Sequence, residues 1–172
     1  GSQKITYMLR NYDMVFISPI GTIGINSFND KICELRFVEN LKKSKLKNPL
    51  YKELSRQLDL YFKQRLNIFD IPYELTGTKY QIKILKRVSE LKYGITKTYS
   101  DIAVKANTHA RPVGNACRNN PIQLIIPCHR VIGKNNIGGF SGEDVKKNGS
   151  MMFIKKSLLK MEEAPQDHLI LK

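Results

Sequence analysis

Ser100-Asp101-Ile102-Ala103-Val104-Lys105-Ala106-Asn107-Thr108-His109-Ala110-Arg111-Pro112-Val113-Gly114-Asn115-Ala116-Cys117-Arg118 spells two short helices around one turn. Ser100 and Asp101 are residue types that start helices, because their side chains accept from the free N–H groups of the first turn. Ile102 and Ala103 follow as the apolar side. Asn107-Thr108 marks the turn. A second helix spans residues 110–118, with Pro112 in its first turn, where a missing N–H is tolerated. Two short helices joined this tightly outline a helix-turn-helix.

Upstream, Thr78 and Gln81 read as a capping box for another helix, with Tyr80, Ile84, Val88 and Leu91 on its apolar face and Gly94 as its stop. Downstream, Asn119-Asn120-Pro121 ends the second helix of the pair. Residues 122–126 form an apolar run that must be buried, and Pro127 closes it. Cys128, His129 and Arg130 follow directly. Gly133, Gly138, Gly139 and Gly142 make the next segment a loop. A last helix is expected over residues 151–162, with Met151, Ile154, Leu158 and Met161 on one face.

The N-terminal third reads as strands. Residues 13–18 are β-rich and stop at Pro19. Residues 20–28 carry Ile20, Ile23, Ile25 and Phe28. Asn29-Asp30 is a turn signal, and residues 31–38 resume a half-buried alternation. A lysine-rich loop at 42–47 precedes a helix over about 49–66, capped by Asn48 with Pro49 in its first turn. Its face is Leu50, Leu54, Leu58, Tyr61 and Leu66. Residues 67–77 then link two domains, 1–73 and 74–172, with Gly1-Ser2 read as a tag remnant. The expected fold is α+β or α/β: a small antiparallel sheet with a helix, then a mostly helical domain.

The chain has 172 residues and a formal net charge of +14, which favours phosphate backbones or acidic membranes as partners. No apolar run approaches the roughly 18–20 residues that span a bilayer. Cys33, Cys117 and Cys128 are too few and too scattered for a disulfide framework, and no ligand spacing suggests zinc. A reducing compartment, no metal and no cofactor are expected. At Cys128, His129 offers a base for the thiol proton, and a carboxylate such as Glu162 would hold the imidazole tautomer. On these residues alone, a buried structural cysteine and a nucleophile both fit.

Pro127-Cys128-His129-Arg130-Val131 resembles the active-site signature of the O6-alkylguanine-DNA alkyltransferases. Gly77-Thr78-x-Tyr80-Gln81 resembles the start of that family's second domain. Thr98-Tyr99-Ser100-Asp101-Ile102-Ala103 resembles the segment before its recognition helix. Arg111-x-Val113-Gly114-x-Ala116 with Asn119-Asn120-Pro121 resembles that helix and its end. Gly138-Gly139-Phe140-Ser141-Gly142 is similar to its substrate loop, and Leu158-Leu159 with Glu162 to its final helix. The order and spacing hold from about residue 74 to 162.

The resemblance implies an RNase H-like first domain and a winged-helix-like second one. It implies direct reversal of damage: an alkyl group on O6 of guanine moves once, irreversibly, to Cys128. His129 would be the base, through a bound water, with Glu162 orienting it and Glu163 its immediate rival. Tyr99 would donate to the base ring and Asn120 would brace the active-site turn. Val131, Ile137, Phe140 and Ser141 would line the pocket. The base must be swung out of the duplex to be reached in line. The recognition helix would enter the minor groove, with Ala110, Gly114 and Ala116 allowing close approach and Arg111 filling the gap. Arg118, Arg130, Lys105 and Ser100 would hold the DNA backbone. The implied partner is double-stranded DNA containing O6-alkylguanine, bound by a monomer, in the cytoplasm of a prokaryote or the nucleus of a eukaryote.

Three departures from the family pattern stand out. Phe140 occupies a position often held by tyrosine, Pro112 follows Arg111, and residues 143–150 are longer than in many members. The competing reading is a non-catalytic protein that flags alkylated DNA. Such proteins replace the cysteine, usually with tryptophan, whereas this chain keeps Cys128 and contains no tryptophan.

Overall fold

The structure, a computed structural model, describes residues 11–39, 42, 44–46, 48–143 and 149–163. Gly1-Ser2, part of the lysine-rich loop and most of the 143–150 insertion lie outside the described residues.

Three antiparallel strands open the chain: β1 (Met14–Ser18), β2 (Gly21–Phe28) and β3 (Lys31–Val38), in the order β1-β2-β3. Asn29 and Asp30 both take positive φ, 51 and 58, giving the primed two-residue turn that matches strand twist. Helix α1 (Pro49–Phe62) follows, its first turn capped by Asn48 Oδ1 accepting from the Tyr51 N–H. This helix stops four residues earlier than the periodicity predicts. Gln64 adopts φ 59, and Arg65 N–H bonds to the Leu60 carbonyl at 2.9 Å while Gln64 N–H bonds to Tyr61 at 3.0 Å. That pair of bonds closes a Schellman motif without its usual glycine. Leu66 is still buried, but from the loop.

The second half holds α2 (Lys79–Ser89), β4 (Lys97–Thr98), α3 (Tyr99–Ala106), α4 (Ala110–Arg118), a 3-10 turn (Cys128–Arg130), β5 (Val131–Ile132) and α5 (Ser150–Glu163). β4 and β5 pair in parallel, Lys97 with Val131 and Thr98 with Ile132. Thr98, rather than Ser100, caps α3, in a reciprocal box with Asp101. Thr78 caps α2 as expected. The Gln81 side chain instead donates to the Asn119 carbonyl at 3.1 Å, pinning α2 to the end of α4. Tyr80, expected on the apolar face of α2, is exposed, and Leu85 is buried with Ile84 and Val88. Asn107 makes the turn between α3 and α4 in the left-handed region, which Asn tolerates.

The free edge of β3 is covered twice. Ile32 N–H bonds to Pro72 O and Glu74 N–H to Ile32 O, so the linker runs along it. Further along, Leu35 N–H bonds to Pro121 O at 2.9 Å and Gln123 N–H to Leu35 O at 2.8 Å. An exposed edge is a template for unwanted pairing, and these bridges remove it. They also dock the segment that leads to Cys128 directly onto the N-terminal sheet.

Candidate active site

The apolar run 122–126 is a knot of tight turns, not a strand. Ile125 N–H bonds to Gln123 O at 2.8 Å around Leu124, whose φ is 69. Cys128 N–H bonds to Ile126 O at 2.8 Å around Pro127, at φ −81 and ψ 64, an inverse γ-turn. A non-glycine residue at positive φ persists only where its surroundings enforce it. Asn120 supplies that enforcement. It is fully buried, its Oδ1 accepting from the Ile122 N–H at 3.0 Å and its Nδ2 donating to Ile126 O at 2.9 Å. The knot presents Cys128 at the start of the 3-10 turn.

Cys128 is 4% exposed and lines a cavity of about 300 Å³. α4 contributes Arg111, Gly114 and Arg118 to the cavity, α3 contributes Tyr99, and the glycine-rich loop contributes residues 139–143. At Gly114 an added β-carbon would meet nothing within 4 Å, so this helix face is open. Phe140 and Glu143 exchange both backbone bonds, at 3.0 and 2.9 Å, around Ser141 (φ 50) and Gly142 (φ 85). The loop is therefore a primed two-residue turn. Gly138 must be glycine: its φ is 72, and a β-carbon there would strike the Tyr99 hydroxyl.

The two residues that follow Cys128 enter a buried polar cluster. His129 Nε2 and Glu162 Oε2 are 2.8 Å apart. Tyr61, from α1, donates its hydroxyl to the same oxygen at 2.5 Å. Arg130 grips the carboxylate with Nε to Oε1 at 2.8 Å and a terminal nitrogen to Oε2 at 3.1 Å, and bonds to Leu91 O at 2.7 Å. Burial works against ionisation of Glu162, yet His129 and Arg130 together hold its carboxyl far below the usual carboxylate range. Burial also lowers the His129 pKa, against the pull of Glu162. A carboxylate only accepts, so Nε2 is the nitrogen that carries a proton toward Glu162, and the neutral imidazole that burial favours has its one proton there. Nδ1 is then a lone-pair acceptor, and it is buried without a hydrogen-bond partner among the described residues.

Burial pushes the Cys128 thiol pKa up, opposed by the Asn120 amide, Lys155 and Arg36. Lys155 is fully buried, its Nζ donating to Val131 O at 2.8 Å and Gly139 O at 3.0 Å and lying 5.9 Å over the Tyr99 ring. Burial lowers its pKa to about 8, while the Cys128 and Cys117 sulfurs pull the other way. Burial likewise raises the Tyr99 pKa to about 12, so its hydroxyl keeps its proton.

The sequence-predicted residues divide. Cys128, Tyr99, Phe140, Ser141, Arg111, Gly114 and Arg118 meet at the cavity, while His129 and Glu162 pair in the interior and Asn120 braces the turn before Cys128. Glu162 is the histidine partner, while Glu163 is exposed. Arg130 is not available to DNA, because Glu162 and Leu91 consume its guanidinium inside the protein. Ala116 is buried on the core side of α4, whereas Ala110, Arg111 and Arg118 are exposed and Gly114 is half-buried. Val131 and Ile137 do not line the cavity. The Val131 side chain is in the core and only its carbonyl serves the site, through Lys155. Ile137 precedes Gly138, where the backbone turns, and the wall begins at Gly139. Ser100 and Lys105 are exposed on α3. Sequence reading missed Tyr61, Gln123 and Lys155. All three sit at helical or apolar positions, with no local sign of what they meet across the fold.

Residues 11–75 match the family described as "6-O-methylguanine DNA methyltransferase, ribonuclease-like domain", and residues 79–164 match its "DNA binding domain". The chain is 36% identical over 148 residues to the methylated-DNA–protein-cysteine methyltransferase of Metallosphaera sedula, covering 85% of this chain and 94% of that protein. It is 42% identical over 145 residues to a probable methylated-DNA–protein-cysteine methyltransferase of Acanthamoeba polyphaga mimivirus, covering 81% and 94%. Its fold is similar to the crystal structure of Mycobacterium tuberculosis O6-methylguanine methyltransferase, with TM-score 0.73, 31% identity and coverage of 89% and 94%. The Mycobacterium tuberculosis OGT crystallised in complex with DNA gives TM-score 0.72 and 31% identity, covering 87% and 91%. Two family matches in register, over a histidine and glutamate paired in space directly after Cys128 in the chain, leave one assignment: the chain belongs to the 6-O-methylguanine DNA methyltransferase family.

Proposed function

We propose that this protein repairs DNA by moving the alkyl group from O6 of guanine onto Cys128. The observation that carries this is the position of the sulfur. It lines a cavity beside the recognition helix, and the next residue in the chain, His129, is held by Glu162 with Nδ1 left as an acceptor. His129 Nδ1 takes the thiol proton, relayed by a water, and the thiolate attacks the alkyl carbon in line with the C–O bond. One S–C bond forms as one C–O bond breaks. The guanine leaves from O6, and the proton lost by sulfur ends on the base. Tyr99, protonated and facing the cavity, donates to the ring as charge builds. A cavity of about 300 Å³ is at the small end of sites for compact ligands, which run to about 1,000 Å³.

A duplex hides the alkyl carbon by stacking, so the base is extruded into this cavity. α4 lies in the minor groove, with Ala110 and Gly114 against the sugar edges, Arg111 in the gap, and Arg118, Lys105 and Ser100 along the backbone. The protein acts as a monomer, without metal or cofactor, in the cytoplasm if prokaryotic and the nucleus if eukaryotic. Because a thioether is not hydrolysed under mild conditions, each molecule acts once. The test is stoichiometry: with excess O6-methylguanine duplex, repaired guanine should level off at one per protein. Continued turnover would overturn the reading.

A further inference from the structure

One hydroxyl that enters no step of the reaction reaches the base's partner from the N-terminal helix. Tyr61 lies on the buried face of α1 with Tyr51, Leu54 and Leu58, and is 1% exposed. Three aromatic rings fix its own: Phe62 and Phe69 with centroids 5.2 Å away and Tyr93 at 6.2 Å. Burial, followed by the Glu162 charge, raises its pKa well above the ordinary tyrosine value, so the hydroxyl keeps its proton. That proton is donated to Oε2 of Glu162 at 2.5 Å, in the short range of charge-assisted O–H bonds.

Oε2 is also the atom to which His129 Nε2 donates at 2.8 Å and a terminal nitrogen of Arg130 at 3.1 Å. A carboxylate beside an imidazole favours the protonated ring, and every further donor on that carboxylate draws off part of the charge the ring feels. The base needs the neutral ring, because an imidazolium has no lone pair on Nδ1 with which to take the thiol proton. The charged groups acting on His129 are Glu162, which favours its proton, and Arg130 and Lys155, which oppose it along with burial. Tyr61 is the uncharged donor that moderates Glu162. It can be removed without neutralising the carboxyl, since His129 and Arg130 are what hold Glu162 ionised.

We propose that Tyr61 is a positioning residue for the proton transfer: by sharing Oε2 of Glu162 with His129, it limits the carboxylate's hold on the imidazole and keeps Nδ1 free to accept the proton of Cys128. The proposal rests on the alkyl-transfer reading above, and it places a control on the base in the N-terminal helix.

The test reads two quantities against pH: single-turnover methyl transfer from an O6-methylguanine duplex, and the titration of the His129 ring by nuclear magnetic resonance. Tyr61→Phe keeps the ring and loses the donor. With Oε2 left to His129 and Arg130, the acid limb of transfer and the His129 midpoint should both move up by about one unit. A ring-fluorinated tyrosine in place of Tyr61 is a stronger donor, and should move both down. A tyrosine that only packs would lower the rate at every pH and leave both midpoints where they are. If Tyr61→Phe does not fold, the fluorinated residue decides. Midpoints that stay at their wild-type values in the folded variants overturn the proposal, whatever the absolute rates do. Wild type that transfers no methyl group overturns the reaction, and the part of Tyr61 in it, even where the titration moves as stated.

Discussion

Tyr61 of the N-terminal helix and His129 beside the nucleophile share a single acceptor, Oε2 of Glu162, at 2.5 and 2.8 Å. The buried polar cluster is therefore closed by a residue from the N-terminal helix. Arg130 completes it from the opposite side. The N-terminal helix thus acts as part of the site's frame, through Tyr61.

Glu162 titrates with a definite sign. Its carboxyl is held lower in the folded chain than in the unfolded one. Its stabilising contribution is therefore complete above about pH 4.3, the unfolded value, and is lost as pH falls below it. Glu162→Gln leaves Arg130 buried without its anion, which should lower stability at pH 7 by about 3 kcal/mol. The gap between wild type and variant, read by denaturant unfolding, should stay constant from about pH 5 to 8 and close in acid below about pH 4. A gap that widens in acid would show that this carboxyl is not the one ionised.

Lys155 predicts an alkaline limb in the rate. Its buried ammonium favours the Cys128 thiolate, and burial brings its pKa to about 8, so the charge is present below that pH and lost above it. Transfer should rise as His129 loses its proton, below the ordinary imidazole value because burial lowers it, and fall again above about pH 8 as Lys155 loses its charge. Lys155→Gln should slow transfer on the order of 10²-fold, as loss of a preorganised charge does, and abolish the alkaline limb. A profile unchanged in shape would remove Lys155 from thiolate stabilisation.

Arg111 is exposed at the mouth of the cavity on α4. Arg111→Ala should slow repair in duplex DNA on the order of tenfold, because the vacated stack is no longer filled, and by much less in single strands. Equal loss on both substrates would reduce it to a phosphate contact.

Much of this was legible in the sequence where a feature depends on local pattern. The β3 strand over 31–38 and the α4 helix over 110–118 fall at their expected bounds, because alternation and end signals are carried by neighbouring residues. What could not be read depends on partners far along the chain. Helix α1 ends at Phe62 through a left-handed Gln64, a conformation usually signalled by glycine. Arg130 looks like a DNA contact until Glu162, 32 residues on, is seen to hold it. Lys155 sits on a helix where lysine normally means solvent, yet it is buried against Val131 and Gly139. Gln123, inside an apolar run, meets its partner, the Phe37 N–H, only when β3 lies beside it. Ala116 and Val131 carry family-like identities but face the core, since packing, not identity, decides direction.

The central claim is that the sulfur of Cys128 is the acceptor. Incubation with an O6-methylguanine oligonucleotide, followed by peptide mass mapping, tests it most directly. The account predicts one methyl on the peptide containing Cys128, none on those containing Cys33 or Cys117, and none at all in Cys128→Ser. A methyl on either other cysteine, or transfer surviving in that variant, would contradict it.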